Sequence, residues 1–244
     1  MIEIVKKKEQ AHGEFNKGEI VENKPIGFPI EGGKLKAYSN LFYWAYAKAN
    51  IDSVIGLHPH KGFEIISVVL KGSIKHYDSL IDKWIDLEEG TLQVIQSGSG
   101  ISHSEAMNKG AAIFQIWLDP NLKKSLNKPP AYKDYKPNSF PLNGNKKTWI
   151  GKNSSVKIDT EGIEMFELSL KNEEHVMQLD QDKYYSIYIL SGNLSVNSNT
   201  LEQSDFLKIC DEKEIEISTN EKVQLFCISS PKKVSYPTYS ILKS

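Results

Sequence analysis

The sequence contains no arginine. All 30 of its basic residues are lysine, and 31 aspartates and glutamates bring the net charge to -1. Without a guanidinium there is no planar fork to clamp a phosphate or carboxylate bidentately. The balanced charge leaves no basic footprint for a nucleic acid. Cysteine is almost as scarce: Cys210 and Cys227 alone cannot build a disulfide framework or an all-cysteine zinc site. Long apolar runs are missing too. The stretches at 65–70 and 111–118 fall far short of the ~18 residues a membrane-spanning helix needs. The opening Met1-Ile-Glu-Ile-Val-Lys-Lys-Lys has no apolar stretch of signal-peptide length. These absences set the expectation of a soluble cytoplasmic protein with reduced thiols, bound neither to membrane nor directly to nucleic acid.

What the sequence does hold is a succession of short runs rich in Val, Ile, Tyr and Phe, punctuated by Gly, Asn, Asp and Ser. Candidate strands are 63–70, 73–78, 92–96, 113–118, 165–170, 185–190, 193–196, 206–210, 215–218 and 223–228. Turn signals such as Lys71-Gly72 and Ser191-Gly192 separate them, and only 120–126 reads as a short helix. Short, regularly spaced strands with such turns predict an all-β barrel or sandwich. The 244 residues suit one large domain or two small ones. Residues 121–148 change character, with Pro129-Pro130, Pro137, Pro141 and Asn143-Gly144-Asn145. Proline at that density is excluded from central strands, so this segment reads as a linker, packed down in part through Tyr132, Tyr135 and Phe140. The expected units are therefore 1–120, a linker at 121–148, and 149–244.

A weak repeat supports two units. Val68-Val69-Leu70-Lys71-Gly72 matches Tyr188-Ile189-Leu190-Ser191-Gly192 in order, and Leu92-Gln93-Val94-Ile95 matches Phe206-Leu207-Lys208-Ile209. Ala112-Ile113-Phe114-Gln115-Ile116 then finds its echo in Gln224-Leu225-Phe226-Cys227-Ile228.

Six histidines occur, two of them in His58-Pro-His60 and a third in His103-Ser104-Glu105. On a strand, residues i and i+2 face the same way, so His58 projects with His60, and His103 with Glu105. Brought together across a barrel, three imidazoles and a carboxylate suit a divalent first-row metal. Pro59 has no N–H for a ladder and places the first pair at the start or edge of a strand. Ser97-Gly98-Ser99-Gly100 permits a tight turn with positive φ, able to aim His103 inward.

Together these residues resemble a known family. His58-Pro-His60-Lys-Gly-Phe-Glu64, Gly72, Gly90 and Gly98-Ser-Gly100-Ile-Ser-His103 resemble the two cupin motifs. The match is closer to the pirin-like proteins. Their HPHRGFE is present with Lys61 in place of Arg. Their HxDSxG is approximated by His76-Tyr77-Asp78-Ser79, with Ile81 where Gly is expected. Their AGxGIxHSE runs from Ser97 to Glu105 with Ser97 for Ala, and their LQLW is Phe114-Gln115-Ile116-Trp117. The detailed match covers about 57–117.

The resemblance implies two tandem cupin β-barrels, a bicupin, with one metal in the N-terminal barrel held by His58, His60, His103 and Glu105. The family usually holds Fe(II); Mn, Ni, Cu, Co or Zn would also suit these ligands. It further implies a dioxygenase of quercetin 2,3-dioxygenase type, acting on a small aromatic substrate and dioxygen, with Glu105 as ligand or nearby base. The alternative it carries is a metal- or redox-sensing regulator that binds a transcription factor or metabolic enzyme, a protein partner the sequence does not identify. The second half has one histidine, His175, and no HxH. The C-terminal barrel is therefore expected to be degenerate and without metal ligands, and Asp180-Gln181-Asp182 to be a solvated turn.

Other residues carry two readings each. His76 is either a group that orients a ligand or a hydrogen-bonded strand histidine. Glu64 is structural or adjacent to the ligands. Phe42, Trp44 and Tyr46 alternate, so on a strand they share a face, either in the core or at a substrate mouth. The two cysteines read as inert.

Overall fold

In the computed structural model, which describes residues 1–239, the chain forms two compact units. The first comprises Gln10–Pro137, Ile158–Glu161 and residues 235–239. The second comprises Met1–Glu9, Asn138–Lys157 and Gly162–Val234. Every paired strand runs antiparallel to its neighbours. The all-β reading therefore holds, as two β-barrel units. No helix among the described residues is long and apolar enough to cross a membrane.

The first unit has two sheets. Seven strands follow the order Ala131–Tyr135, Leu92–Gln96, Glu64–Lys71, Ala112–Leu118, Leu41–Ala49, Ile20–Ile26 and Ala11–Phe15. Four more follow the order Ser53–His60, Ile101–Met107, Ser73–Asp78 and Trp84–Glu88. Glu64–Lys71 lies in the interior of the larger sheet, and its run of β-branched residues is buried on both faces. Trp84–Glu88 lies at an edge of the smaller sheet and exposes alternate residues, as a half-solvated strand should.

The second unit is one nine-stranded sheet system built on two long strands, Glu164–Gln178 and Glu214–Pro231. Sequence divides the latter into 215–218 and 223–228. The structure runs through the break, because the two long strands shift register together near Lys171 and Glu173 and stay paired on both sides. The inner faces meet in a wholly apolar cluster that includes Leu168, Ile187, Ile189, Leu207, Ile217, Leu225 and Cys227.

The unit boundaries differ from the expected ones at both ends. Ile2–Val5 pairs with Phe206–Ile209, so the first nine residues belong to the second unit rather than the first. Residues 121–148 are not a free linker. Ala131–Tyr135 pairs along Leu92–Gln96 as an edge strand of the first unit, and the division falls after Pro137. Proline flanks this strand without interrupting it, which a sheet edge tolerates. Tyr135 and Phe140 are buried as expected, one in each unit.

Candidate metal centre

The histidine-bearing segments are adjacent strands of the smaller sheet. They meet along a ladder rather than across a barrel, with His103 directly opposite His58 and Ile101 opposite His60. Neither segment has the apolar run of the other strands, since Gly, Pro and His dilute the first and Ser and His the second. Their ends are tied by the loops that follow and precede them: Gly62 N–H donates to Gly98 O at 3.0 Å, and Ser97 N–H to Phe63 O at 2.9 Å. Gly98 has φ +51°, and a Cβ there would lie 2.6 Å from Lys128 O. Only glycine makes this turn at that distance from a backbone carbonyl.

A β-bulge does the aiming. Between the pairs His103–His58 and Glu105–Ile55 the ladder slips by one residue, so Gly56 and Leu57 fall in succession on the outside. Bulges re-aim side chains, and here His58 turns inward with His60 after buried Ile55. Gly56 O then accepts a hydrogen bond from His58 Nδ1 at 2.7 Å. With its proton on Nδ1, His58 presents the Nε2 lone pair to the centre, as a metal-binding imidazole must.

The three Nε2 atoms converge. His103 Nε2 lies 2.9 Å from His60 Nε2 and 2.9 Å from His58 Nε2. Each of the three histidines offers a nitrogen within 4.8 Å of the others. His103 is fully buried, and burial with its histidine neighbours pushes its imidazole down to about 2. Burial, with His58 beside it, pushes His60 down to about 4. Both rings are neutral near pH 7, the state that ligates a cation. Three imidazole nitrogens held point to point, with no acid among them, fit a divalent metal.

Glu105 is fully buried but is not one of this convergent group. Its carboxylate accepts hydrogen bonds from Gln115 Nε2 at 3.0 and 3.2 Å and from Ser67 Oγ at 3.5 Å. Burial pushes its carboxyl up to about 7 despite these donors. Sequence alone does not mark Gln115 or Ser67 as site residues. The available signal was a polar residue in the middle of an apolar strand.

The remaining residues divide cleanly. His76 is fully buried, bonds Asp78 Oδ2 through Nε2 at 2.8 Å, and stacks on Tyr132 with its centroid 5.6 Å from that of His103. It is thus a hydrogen-bonded strand histidine lying behind a candidate ligand. Glu64 does not reach the histidine cluster. It accepts from Gln96, from Asp159 N–H and from both N–H and Oγ1 of Thr160, fastening residues 158–161 to the first unit. The aromatic alternation breaks at Phe42. A register shift next to Leu118 sends Phe42 onto Phe63 at 4.7 Å, while Trp44 and Tyr46 pack on Phe114. Phe42, Phe63, Phe28 and Trp117 form an aromatic wall, and Trp117 stands edge-on to His60 at 4.8 Å. In the second unit Asp180 and Asp182 are exposed, and Asp180 caps its own turn by accepting from Asp182 N–H.

Comparison with known proteins places these features. A family profile described as Pirin matches residues 35–118, and one described as Quercetinase C-terminal cupin domain matches 149–229. A pirin-like protein of Caulobacter vibrioides is 30% identical over 182 residues, covering 71% of this chain and 75% of that protein. A protein named quercetin 2,3-dioxygenase from Escherichia coli K12 is 28% identical over 183 residues, covering 72% and 76%. The crystal structure of the bacterial pirin YhhW from Escherichia coli in complex with nickel(II) superposes with a TM-score of 0.81 at 25% identity, covering 96% of this chain and all of that one.

Proposed function

The chain belongs to the pirin family, and from that premise we propose that it is a metal-dependent dioxygenase of quercetin 2,3-dioxygenase type. The observation that carries this reading is the meeting of three imidazole nitrogens beside an aromatic wall. His58, His60 and His103 hold a divalent metal, with Glu105 as the fourth ligand, and the metal is Fe(II), with Mn, Ni, Cu, Co or Zn able to take the same donors. The second barrel is degenerate and holds none.

When bound, such a metal supplies Lewis acidity and a site for dioxygen chemistry. The protein's own groups do the rest. The tautomer of His58 is fixed by Gly56 O, so the ring needs no reorganisation on binding. Phe42, Phe63 and Trp117 offer flat apolar faces for an electron-rich aromatic substrate and exclude water from one side of the centre. No arginine competes for the substrate's oxygens, so a flavonol binds through its hydroxyl and keto oxygens and its apolar faces. Glu105, as ligand or nearby base, receives the proton of the substrate hydroxyl on a carboxylate oxygen.

The test is anaerobic loading of each metal into the stripped protein, then oxygen uptake with quercetin. At least one metal form is expected to exceed a His58→Ala control. Equal rates in every form would overturn the proposal.

A further inference from the structure

Both oxygens of the buried Glu105 carboxylate are served by a single donor, Gln115 Nε2, at 3.2 Å from Oε1 and 3.0 Å from Oε2. Ser67 Oγ adds a contact to Oε1 alone, at 3.5 Å. Gln115 is itself oriented. An amide presents an acceptor at one end and donors at the other, and Trp117 Nε1, which can only donate, lies 3.4 Å from Gln115 Oε1. With its oxygen turned to the indole, the amide must offer its NH2 to Glu105. The reversed amide would set oxygen against carboxylate on one side and N–H against N–H on the other. Trp117 also packs edge-on against His60, with ring planes at 89°. One indole therefore touches a histidine of the centre and sets the amide that holds the carboxylate.

We propose that Gln115, oriented by Trp117, is a positioning residue that keeps Glu105 Oε1 in place while Oε2 turns to the metal. This rests on the assignment of Glu105 as the fourth ligand. Oε1 has two partners and Oε2 one, so Oε2 is the oxygen that leaves at the smaller cost. Partners of metal ligands commonly change affinity by about 10–100-fold when removed.

The experiment is Co(II) binding to the metal-stripped full chain. It is read as a dissociation constant by chelator competition and as the visible absorption of the bound ion. The proteins are wild type, Glu105→Gln, Gln115→Leu, Trp117→Phe and the Glu105→Gln/Gln115→Leu double variant. Gln115→Leu is expected to weaken Co(II) by on the order of 10-fold and to alter the visible band. Trp117→Phe keeps a ring beside His60 but frees the amide to turn over, and is expected to move both readouts the same way by less. The double variant should bind no more weakly than Glu105→Gln, because the amide then has no ligand to hold.

A wild-type constant and spectrum in Gln115→Leu, with Glu105→Gln weakened, overturns this proposal alone. Additive losses in the double variant also overturn it. A Glu105→Gln protein that binds like wild type overturns the ligand assignment and this proposal with it. Should Gln115→Leu fail to fold, Trp117→Phe decides, and wild-type values there overturn the proposal.

Discussion

Across the larger sheet of the first unit runs a row of neighbouring side chains, Gln115 beside Ser67 and Ser67 beside Gln93. The repeat places the corresponding row of the second unit at Cys227, Ile187 and Leu207, again neighbours in register. The first row is polar and the second apolar, and all but half-buried Gln115 are buried. A buried polar group costs least with a partner, and each member of the first row has at least one, although Gln93 Oε1 has none. Gln115 and Ser67 serve Glu105, and Gln93 donates to Tyr132 Oη at 3.2 Å. The second unit presents Met177, Ile215 and Ile217 on the facing strands, and its row needs no polar members. The same ladder thus supports two interiors. One is lined for a carboxylate and three imidazoles, and the other is filled with hydrocarbon for stability.

A crossed pair of substitutions is the strongest attempt to break this contrast. His103→Ala is expected to weaken metal binding by at least about 100-fold, beyond the usual effect of losing an outer partner. Ile217→Ala should leave metal affinity unchanged while costing roughly 2–5 kcal/mol of stability. Chelator competition and urea denaturation on both variants check it. A metal defect in Ile217→Ala would mean that the second interior also serves the site. Moving one member of the polar row across sharpens the point. Leu207→Gln, at the position matching Gln93, puts an amide into an apolar cluster and should cost roughly 3–5 kcal/mol through lost burial and an unpartnered polar group. A urea midpoint equal to wild type would show that the second interior accepts polar groups as readily as the first.

The first interior has its own cost, visible in the metal-free protein. Glu105 is pushed from 4.5 up to about 7 by burial. Below pH 4.5 the carboxyl is protonated both folded and unfolded, and it carries no penalty. Between 4.5 and 7 the folded state binds more protons, so stability falls as pH rises. Above 7 the full cost of a buried carboxylate applies, about 3 kcal/mol. Glu105→Gln removes this term. The metal-free variant should match wild type near pH 4.5 and become more stable than it by pH 8. His60, pushed down to about 4, works in the opposite sense: its contribution is present above 6.5 and lost as pH falls towards 4. That loss is common to both proteins and cancels in the comparison. Urea midpoints at a series of pH values test it, and a constant difference across the series would contradict it.

The contrast also explains which parts of the molecule could be read from sequence. Strands 73–78 and 92–96 were legible to the residue, because their β-branched and aromatic content matches what a pleated sheet buries. Ser53–His60 and Ile101–Met107, which carry the three histidines, do not read as full strands, since Gly, Pro and His weaken that signal in the first and Ser and His in the second. The i, i+2 spacing still singles out His58, His60 and His103, whose nitrogens the structure brings together. The bulge that turns His58 inward is set by pairing with a strand more than 40 residues away, and no local pattern announces it. The N-terminal strand was missed for the same reason, since its partner, Phe206–Ile209, lies some 200 residues downstream. Gln115 was visible only as part of a motif. Its role follows from three side chains, Trp117, Glu105 and Ser67, that the fold brings to it.

The smallest expected effect concerns the one motif position where the missing arginine reaches the site. Lys61 stands where the family pattern has Arg, directly after His60, so sequence alone suggests a change in the centre itself. In the structure Lys61 is exposed, and the backbone turns away from the histidines at Gly62, whose N–H is held by Gly98 O. An exposed side chain outside the ligand network has little leverage, and substitutions of this kind usually move stability by no more than about 0.5 kcal/mol. Lys61→Arg is therefore expected to leave both the Co(II) dissociation constant and the urea midpoint at wild-type values. A tighter or weaker Co(II) site in that variant would show that the charge beside His60 acts on the centre through the loop, and would extend the specialised lining of the first barrel out to its surface.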